Sequence, residues 1–458
     1  MPRTLIYSRS ISIVLFAFSI VSIAGCQENS IDPVDTFDPN QPIKLKVMFP
    51  DNDYFYQRYG NILSGKFPNL EFEVIRRASG TIEDQKKQII ETQPDVLLLS
   101  SHLLEKLSDE GALMDLDSLI QRDKFDLSGI YSSVIEMLRE GGRGKLYGLA
   151  PEFSSSVLYY NKDLFQQYGV DMPKDRMSWD DVLKLAQRFP TEGSEGERIY
   201  GYEPTSGQGL FNFVLNIGTT IGLTPISSDG SSIVIASDNW KKVIESVMQA
   251  YQSDVLHFPT GSIIDEIKND LFLEGRVAMK KQTFFYYSLI EERKQTQKNN
   301  KPLHFDVVTV PVDTANPDMT DTLYLGSIYA VNNNSSYKQA AWEVVKYINS
   351  EEHAKLESKM LHAQMPVRKA YVPSNDDINI EPFFALRPSI KRWSDGNLTP
   401  EFNQSFNELA TKELLFVADG TKSLDDALET LQTEGQQLLD SLRVKLNEAA
   451  ATSPETPN

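Results

Sequence analysis

From Ile43 onward the hydrophobic pattern changes period again and again. Ile43 to Phe49 (IKLKVMF) alternates apolar and polar positions, the spacing of a strand with one covered face. Tyr54 to Leu63 has helical character, Leu70 to Ile75 returns to strand alternation, and Glu83 to Thr92 is helical again. Asp95 to Leu99 is a continuous apolar run behind Pro94, as expected of a parallel strand buried on both faces. Ser178 to Asp181 (SWDD) opens a helix with a capping-box spacing. Further helices are predicted over Trp240–Ser253, Ile263–Glu274, Ser336–Asn349, Glu351–Leu361 and Ser423–Glu448, and late strands over Phe305–Val310 and Ser327–Val331. Strands alternating with helices predict βαβ units and an α/β fold. The tail Ala449–Asn458 carries no such pattern and is expected to be disordered.

The first 42 residues read differently. Arg3 and Arg9 precede an apolar run from Ile11 to Ala24, and no acid occurs before Glu28. That is the layout of a secretory signal, and the run ends too early for the ~20 residues of a bilayer span. Ile23 to Cys26 (IAGC) resembles the bacterial lipobox, which implies cleavage after Gly25 and lipidation of Cys26, the only cysteine in the chain. Loss of residues 1–25 removes two arginines and no acid, so a formal charge of −19 becomes −21. Residues 26–42 are polar, acidic and proline-bearing, and are expected to act as a flexible tether. The implied location is the outer face of a membrane, extracellular or periplasmic, held by acyl chains.

Composition narrows the chemistry. A chain of 458 residues suggests two to four compact units. An excess of 64 acids over 45 basic residues repels phosphate backbones, so nucleic acid is not an expected partner. One cysteine excludes a disulfide within the chain and any zinc site needing two thiolates. Gly60 to Lys66 (GNILSGK) has P-loop spacing, but Phe67 stands where a hydroxyl would hold magnesium, and the stretch reads as a helix with Gly65 at its end. Gly142 and Gly144 begin a G-x-G whose third glycine is replaced by Tyr147; a turn is the better reading. The five histidines are scattered, no cofactor or metal is implied, and no carboxylate pair is singled out for hydrolysis. This profile favours a binding protein over an enzyme.

Several segments resemble the bacterial extracellular solute-binding proteins of the carbohydrate type, the receptors of ABC importers. They are Gly144–Glu152 (GKLYGLAPE) running into Val157–Phe165 (VLYYNKDLF), then Gly169–Pro173 and Ser178–Asp181. Pro94–Val96 with Gly111–Asp117 precede them; Leu273–Met279, Tyr324–Ala330, Ala341–Lys346 and Met365–Arg368 follow in order. The resemblance implies a periplasmic-binding-protein-like type II fold: two α/β lobes joined by crossover segments, with a ligand cleft between them. It places the crossovers near Glu152–Phe153, Tyr324–Ser327 and Met365–Val367. The lobes would then be 43–152 with 327–364, and 153–326 with 365–448.

By the same landmarks, Asp51 and Asn52 are candidate ligand contacts or a helix N-cap. Ser100, Ser101 and His102 end the Asp95–Leu99 strand at the cleft edge. Relatives often have an aromatic residue with an acid in that loop, and this chain does not. Glu152 falls where the family often has a sugar-binding acid. Glu203 is a second-lobe contact or a surface acid, and Phe284 and Phe285 are stacking aromatics or core. Gly326 and Ser327 offer backbone contacts, and Trp393 is a stacking platform or a surface residue. The implied function is capture of a carbohydrate, an oligosaccharide on this reading, and its delivery by a monomeric, membrane-anchored receptor to ABC permease subunits. The alternatives are a sensory subunit signalling to a membrane kinase, or a surface glycan hydrolase using Glu152.

Overall fold

The computed structural model describes residues 38–194, 196–205, 209–259, 268–296, 303–358, 364–372, 378–389 and 399–452. The signal and lipobox expectations, with Cys26, lie outside them. Of the expected tether, residues 38–42 are described, and they form a turn held to the body: the Asn69 amide donates to the carbonyls of Asp38 and Gln41.

In chain order the strands are β1 (Ile43–Phe49), β2 (Leu70–Arg76), β3 (Val96–Leu99), β4 (Gly148–Leu149), β5 (Glu152–Phe153), β6 (Ser156–Asn161) and β7 (Tyr200–Glu203). They continue as β8 (Val277–Thr283), β9 (Phe305–Thr309), β10 (Met319–Thr320), β11 (Ile328–Val331), β12 (Met365–Pro366) and β13 (Arg387–Pro388). Two main sheets result, ordered β2-β1-β3-β11-β4 and β7-β8-β6-β9. In the first, β1 runs parallel to β2 and β3, and β11 is reversed, with Ile328 opposite Leu99. In the second, β6 is the reversed strand, antiparallel to both β8 and β9.

The reversals have one cause. β6 and β11 are the strands that follow a passage from the other sheet, so each enters its sheet from the edge where its neighbours end. The passages lie side by side. β5 pairs with β12 (Glu152 opposite Pro366, Phe153 opposite Met365), and Ser154 and Tyr324 exchange backbone hydrogen bonds of 2.9 and 2.8 Å. The molecule therefore has two α/β lobes linked by a narrow three-stranded hinge. Strand carboxyl ends from the first lobe converge beside it, where open α/β sheets place their ligands.

Local chemistry sets the element boundaries. Capping boxes at Thr81/Asp84 and Ser178/Asp181 start the helices Ile82–Thr92 and Trp179–Ala186, and Gly169, at φ 63°, stops Lys162–Tyr168 in the left-handed conformation. Helices Leu210–Thr220, Asp238–Gln252 and Pro400–Ala418 pack a core of their own around Phe211, Trp240 and Phe406. On the hinge's other side, Phe384 stacks on Tyr131 of the first lobe at 4.4 Å. Its neighbour Phe383 meets Phe284 of the second lobe at 5.5 Å.

Two expectations are corrected. Of Ile263–Glu274 the residues 268–274 are described: Lys268 is helical, and the chain turns over 271–274, where the Asp270 carboxylate accepts the Leu273 N–H. The last long helix spans Leu424–Thr452, so it takes in the start of the tail expected to be disordered; its alanines are strong helix formers.

Candidate binding cleft at the hinge

β1 ends at Phe49, and Pro50-Asp51 turns the chain into a helix. Asp51 caps it by accepting the Tyr54 N–H at 3.0 Å. The helix widens into a π turn over Tyr56–Gly60; such turns recur at functional sites. Here the turn splits two neighbours. Tyr59 goes into the core against Phe49, Tyr329 and His353, while Arg58 reaches the hinge. Its guanidinium grips Glu152 of β5 with both ends, at 3.2 and 2.6 Å. It also donates to the Tyr54 hydroxyl at 3.2 Å and lies 3.5 Å from Glu357.

These residues wall a cavity of about 450 Å³, with Phe49, Pro50, Gln57, Arg77, Leu98, Gly326, Ser327, Tyr329 and Gln364 completing it. Its size and its mixture of apolar wall and few polar groups are those of a small-molecule site. Tyr54 is 45% exposed at its mouth, its ring 5.4 Å from that of Phe49. Among the described residues no cluster of three His, Cys, Asp or Glu side chains is placed to hold a metal ion.

Behind the Arg58–Glu152 pair lies a second space of about 20 Å³, bounded in part by Asn349, His353, Glu357 and Gln364. Among the described residues, Asn349 Oδ1, His353 Nε2 and Gln364 Oε1 have no hydrogen-bond partner. Burial first, and then the Arg58 guanidinium, pull the His353 pKa from 6.5 down to about 4, so the ring is neutral.

The structure brings together three of the residues expected from sequence, Glu152, Gly326 and Ser327, on one wall. Asp51 and Asn52 sit exposed at the lip; Asp51 is occupied as an N-cap and Asn52 donates to Asp53. Ser100 caps the helix Ser101–Asp109, Ser101 donates to the Leu325 carbonyl, and His102 is exposed outside the cavity wall.

Glu203 is corrected. It is 1% exposed inside the second lobe, 2.6 Å from Lys280 Nζ and 2.6 Å from His257 Nδ1, so its carboxylate is spent on internal partners. Asp270 and Tyr286 complete that buried network. Phe284, 2% exposed, is core, packed on Tyr287 and Phe383. Phe285 is 42% exposed. Trp393 lies outside the described residues.

Sequence reading missed Tyr54, Arg58, Arg77, Glu357 and Gln364. For Tyr54 and Arg58 a signal existed, since a helix that follows the carboxyl end of a first strand turns its opening residues toward the ligand edge. Nothing local marks Glu357 or Gln364.

The family described as bacterial extracellular solute-binding protein matches residues 52–355. The chain belongs to this family. As a solute-binding protein it is a binder, not an enzyme, and it works outside the cytoplasm. The binding protein BAB2_0491 of Brucella abortus is 24% identical over 270 residues; the match takes in 56% of this chain and 58% of that relative's length. The sn-glycerol-3-phosphate-binding periplasmic protein UgpB of Rhizobium meliloti is 27% identical over 90 residues, 19% of this chain and 21% of that protein.

Solved structures show the same fold. The ABC substrate-binding protein Lmo0181 of Listeria monocytogenes, in complex with cycloalternan, superimposes with a TM-score of 0.53 at 19% identity, over 87% of this chain and 98% of that one. UspC of M. tuberculosis gives 0.58 at 16% identity, over 86% and 100%. The sugar-binding protein MalE of Xanthomonas citri gives 0.57 at 15%, over 88% and 99%.

Proposed function

We propose that this solute-binding protein captures a carbohydrate in the hinge cleft by closure of its two lobes and delivers it to an ABC permease. One observation carries the carbohydrate reading. The hinge cavity sets an exposed tyrosine face, Tyr54, beside carboxylate, guanidinium and amide groups at Glu152, Arg58 and Gln364. Sugars need that pairing: rings pack their C–H faces on aromatics, while hydroxyls donate to carboxylate and amide oxygens and accept from guanidinium and amide N–H groups. Solved neighbours are described as a sugar-binding protein and as a complex with cycloalternan, which supports the same class of solute.

The lobes of this reading are 43–152 with 327–364 and 153–326 with 365–448. A solute touching both favours the closed state by its differential affinity, and almost complete closure needs a preference of about 5 kcal/mol. Acylated Cys26 holds the monomeric receptor at the membrane, with residues 26–42 as the link. The test is a glycan panel on the purified chain, read by thermal stabilisation and by radius of gyration in solution scattering. Stabilisation with compaction is expected. A broad panel that produces neither removes the carbohydrate reading. Mass spectrometry of Cys26 from native membranes checks the anchor, which fails if the thiol is unmodified.

A further inference from the structure

The charges on the cavity wall divide unevenly. Arg58 carries two carboxylates, Glu152 at 2.6 Å and Glu357 at 3.5 Å, so its charge is fully met inside the protein. Arg77 is the other cation on the wall. Its backbone N–H donates to the Phe49 carbonyl at 2.9 Å, which fixes the residue beside the carboxyl end of β1. Its side chain is half-buried, and among the described residues no carboxylate lies within ion-pair distance of it. In a chain of formal charge −19, with acids to spare, this guanidinium faces the ligand space without one. A partly desolvated charge of that kind is best met by a counter-ion, and the planar fork of arginine matches carboxylate and phosphate oxygens two at a time.

We infer that the solute is an anionic saccharide whose oxyanion is received by Arg77. This rests on the carbohydrate reading and sharpens it. The cavity then has two ends: Arg77 takes the acid group, and the Arg58–Glu152 end takes ring hydroxyls, with Tyr54 beneath the ring. Arg58 offsets only one of the two carboxylates it holds, so the Arg58–Glu152–Glu357 end keeps a net negative charge, which turns the solute's anion away from that end and toward Arg77.

The test compares matched ligands on the wild-type chain and on Arg77→Gln by calorimetry. The ligands are glucuronic and galacturonic acid mono- to trisaccharides, their neutral glucose and galactose counterparts, and hexose 6-phosphates. Arg77 makes no side-chain hydrogen bond within the described residues, so the variant should melt as the wild type does, and a melting curve verifies this. We expect the wild type to bind an acidic member more tightly than its neutral counterpart. Arg77→Gln should weaken that acidic ligand by about tenfold or more, the effect of truncating one partner of a desolvated charge pair. It should leave any neutral sugar within about twofold.

Added salt should weaken the acidic ligand selectively. Preference for uronates or for sugar phosphates tells which oxyanion is read, and either supports the assignment. Equal loss for acidic and neutral ligands means that Arg77 serves lobe closure, and overturns it. Binding of neutral sugars alone overturns it while the carbohydrate reading stands. Binding of neither class defeats both.

Discussion

Arg58 and Glu152 join the first-lobe helix to the hinge strand across 94 positions of sequence, and a double-mutant cycle measures what the pair contributes. A hydrogen bond to a charged group is worth a net ~1.5–3 kcal/mol. Two bonds link the pair, and the one at 3.2 Å is at the long end of the normal range. Breaking a fully buried ion pair from one side costs about 3–5 kcal/mol. These side chains are 16% and 13% exposed on a cavity wall, so water recovers part of that. A coupling energy of about 1–3 kcal/mol follows.

Arg58→Met and Glu152→Gln, singly and together, would be compared by urea denaturation without ligand. The singles should be unequal. Losing Arg58 leaves the Glu152 and Glu357 carboxylates with no cation between them, whereas losing the Glu152 charge leaves Arg58 with Glu357 at 3.5 Å. Arg58→Met should therefore cost more. Additivity within about 0.5 kcal/mol, or Glu152→Gln as the costlier single, would refute the idea that this pair ties helix to hinge.

Three other outcomes are expected. His353 has a pKa near 4 when folded and 6.5 when unfolded, so below pH 6.5 the unfolded chain binds the proton first; stability is whole above 6.5 and declines toward pH 4, by about 3 kcal/mol at most. Melting temperature followed from pH 7 to 4 should fall less steeply in His353→Phe, and an unchanged slope rules this out. Lys280→Met strands Glu203 and Asp270 in the second-lobe interior and should destabilise by about 3–5 kcal/mol in denaturant titration; a loss below about 1 kcal/mol would mean that water reaches the network. The 20 Å³ space beside Asn349, His353 and Gln364 is large enough for one water, which would supply donors to acceptors that lack them. A high-resolution crystal structure should show ordered density there, and clear absence of density would contradict the assignment.

How far sequence could reach is visible in individual elements. β1 and β3 were legible because backbone pleat and burial impose their periods within a few residues. The start of the helix Trp179–Ala186 was legible because a serine and an aspartate three apart satisfy each other's backbone donors. Glu152, Gly326 and Ser327 were named as candidate contacts through ordered landmarks, not through any property of those residues alone; that they share one cavity wall is a finding of the structure.

Arg58 with Glu357, 299 positions apart, and Glu203 with Lys280, 77 apart, were not legible. In sequence Glu203 and Glu152 are alike: acids at one terminus of a short strand. One became an interior ion-pair partner and the other a wall of the cleft. Which it would be depended on what the opposite chain segment brought within 3 Å. The sequence by itself determined the α/β pattern, the caps and the family, because these follow from local geometry and order along the chain. Only the tertiary structure decided which charges neutralise one another and which, like Arg77, are left facing the solute, because Coulomb attraction and burial act through space and not along the backbone.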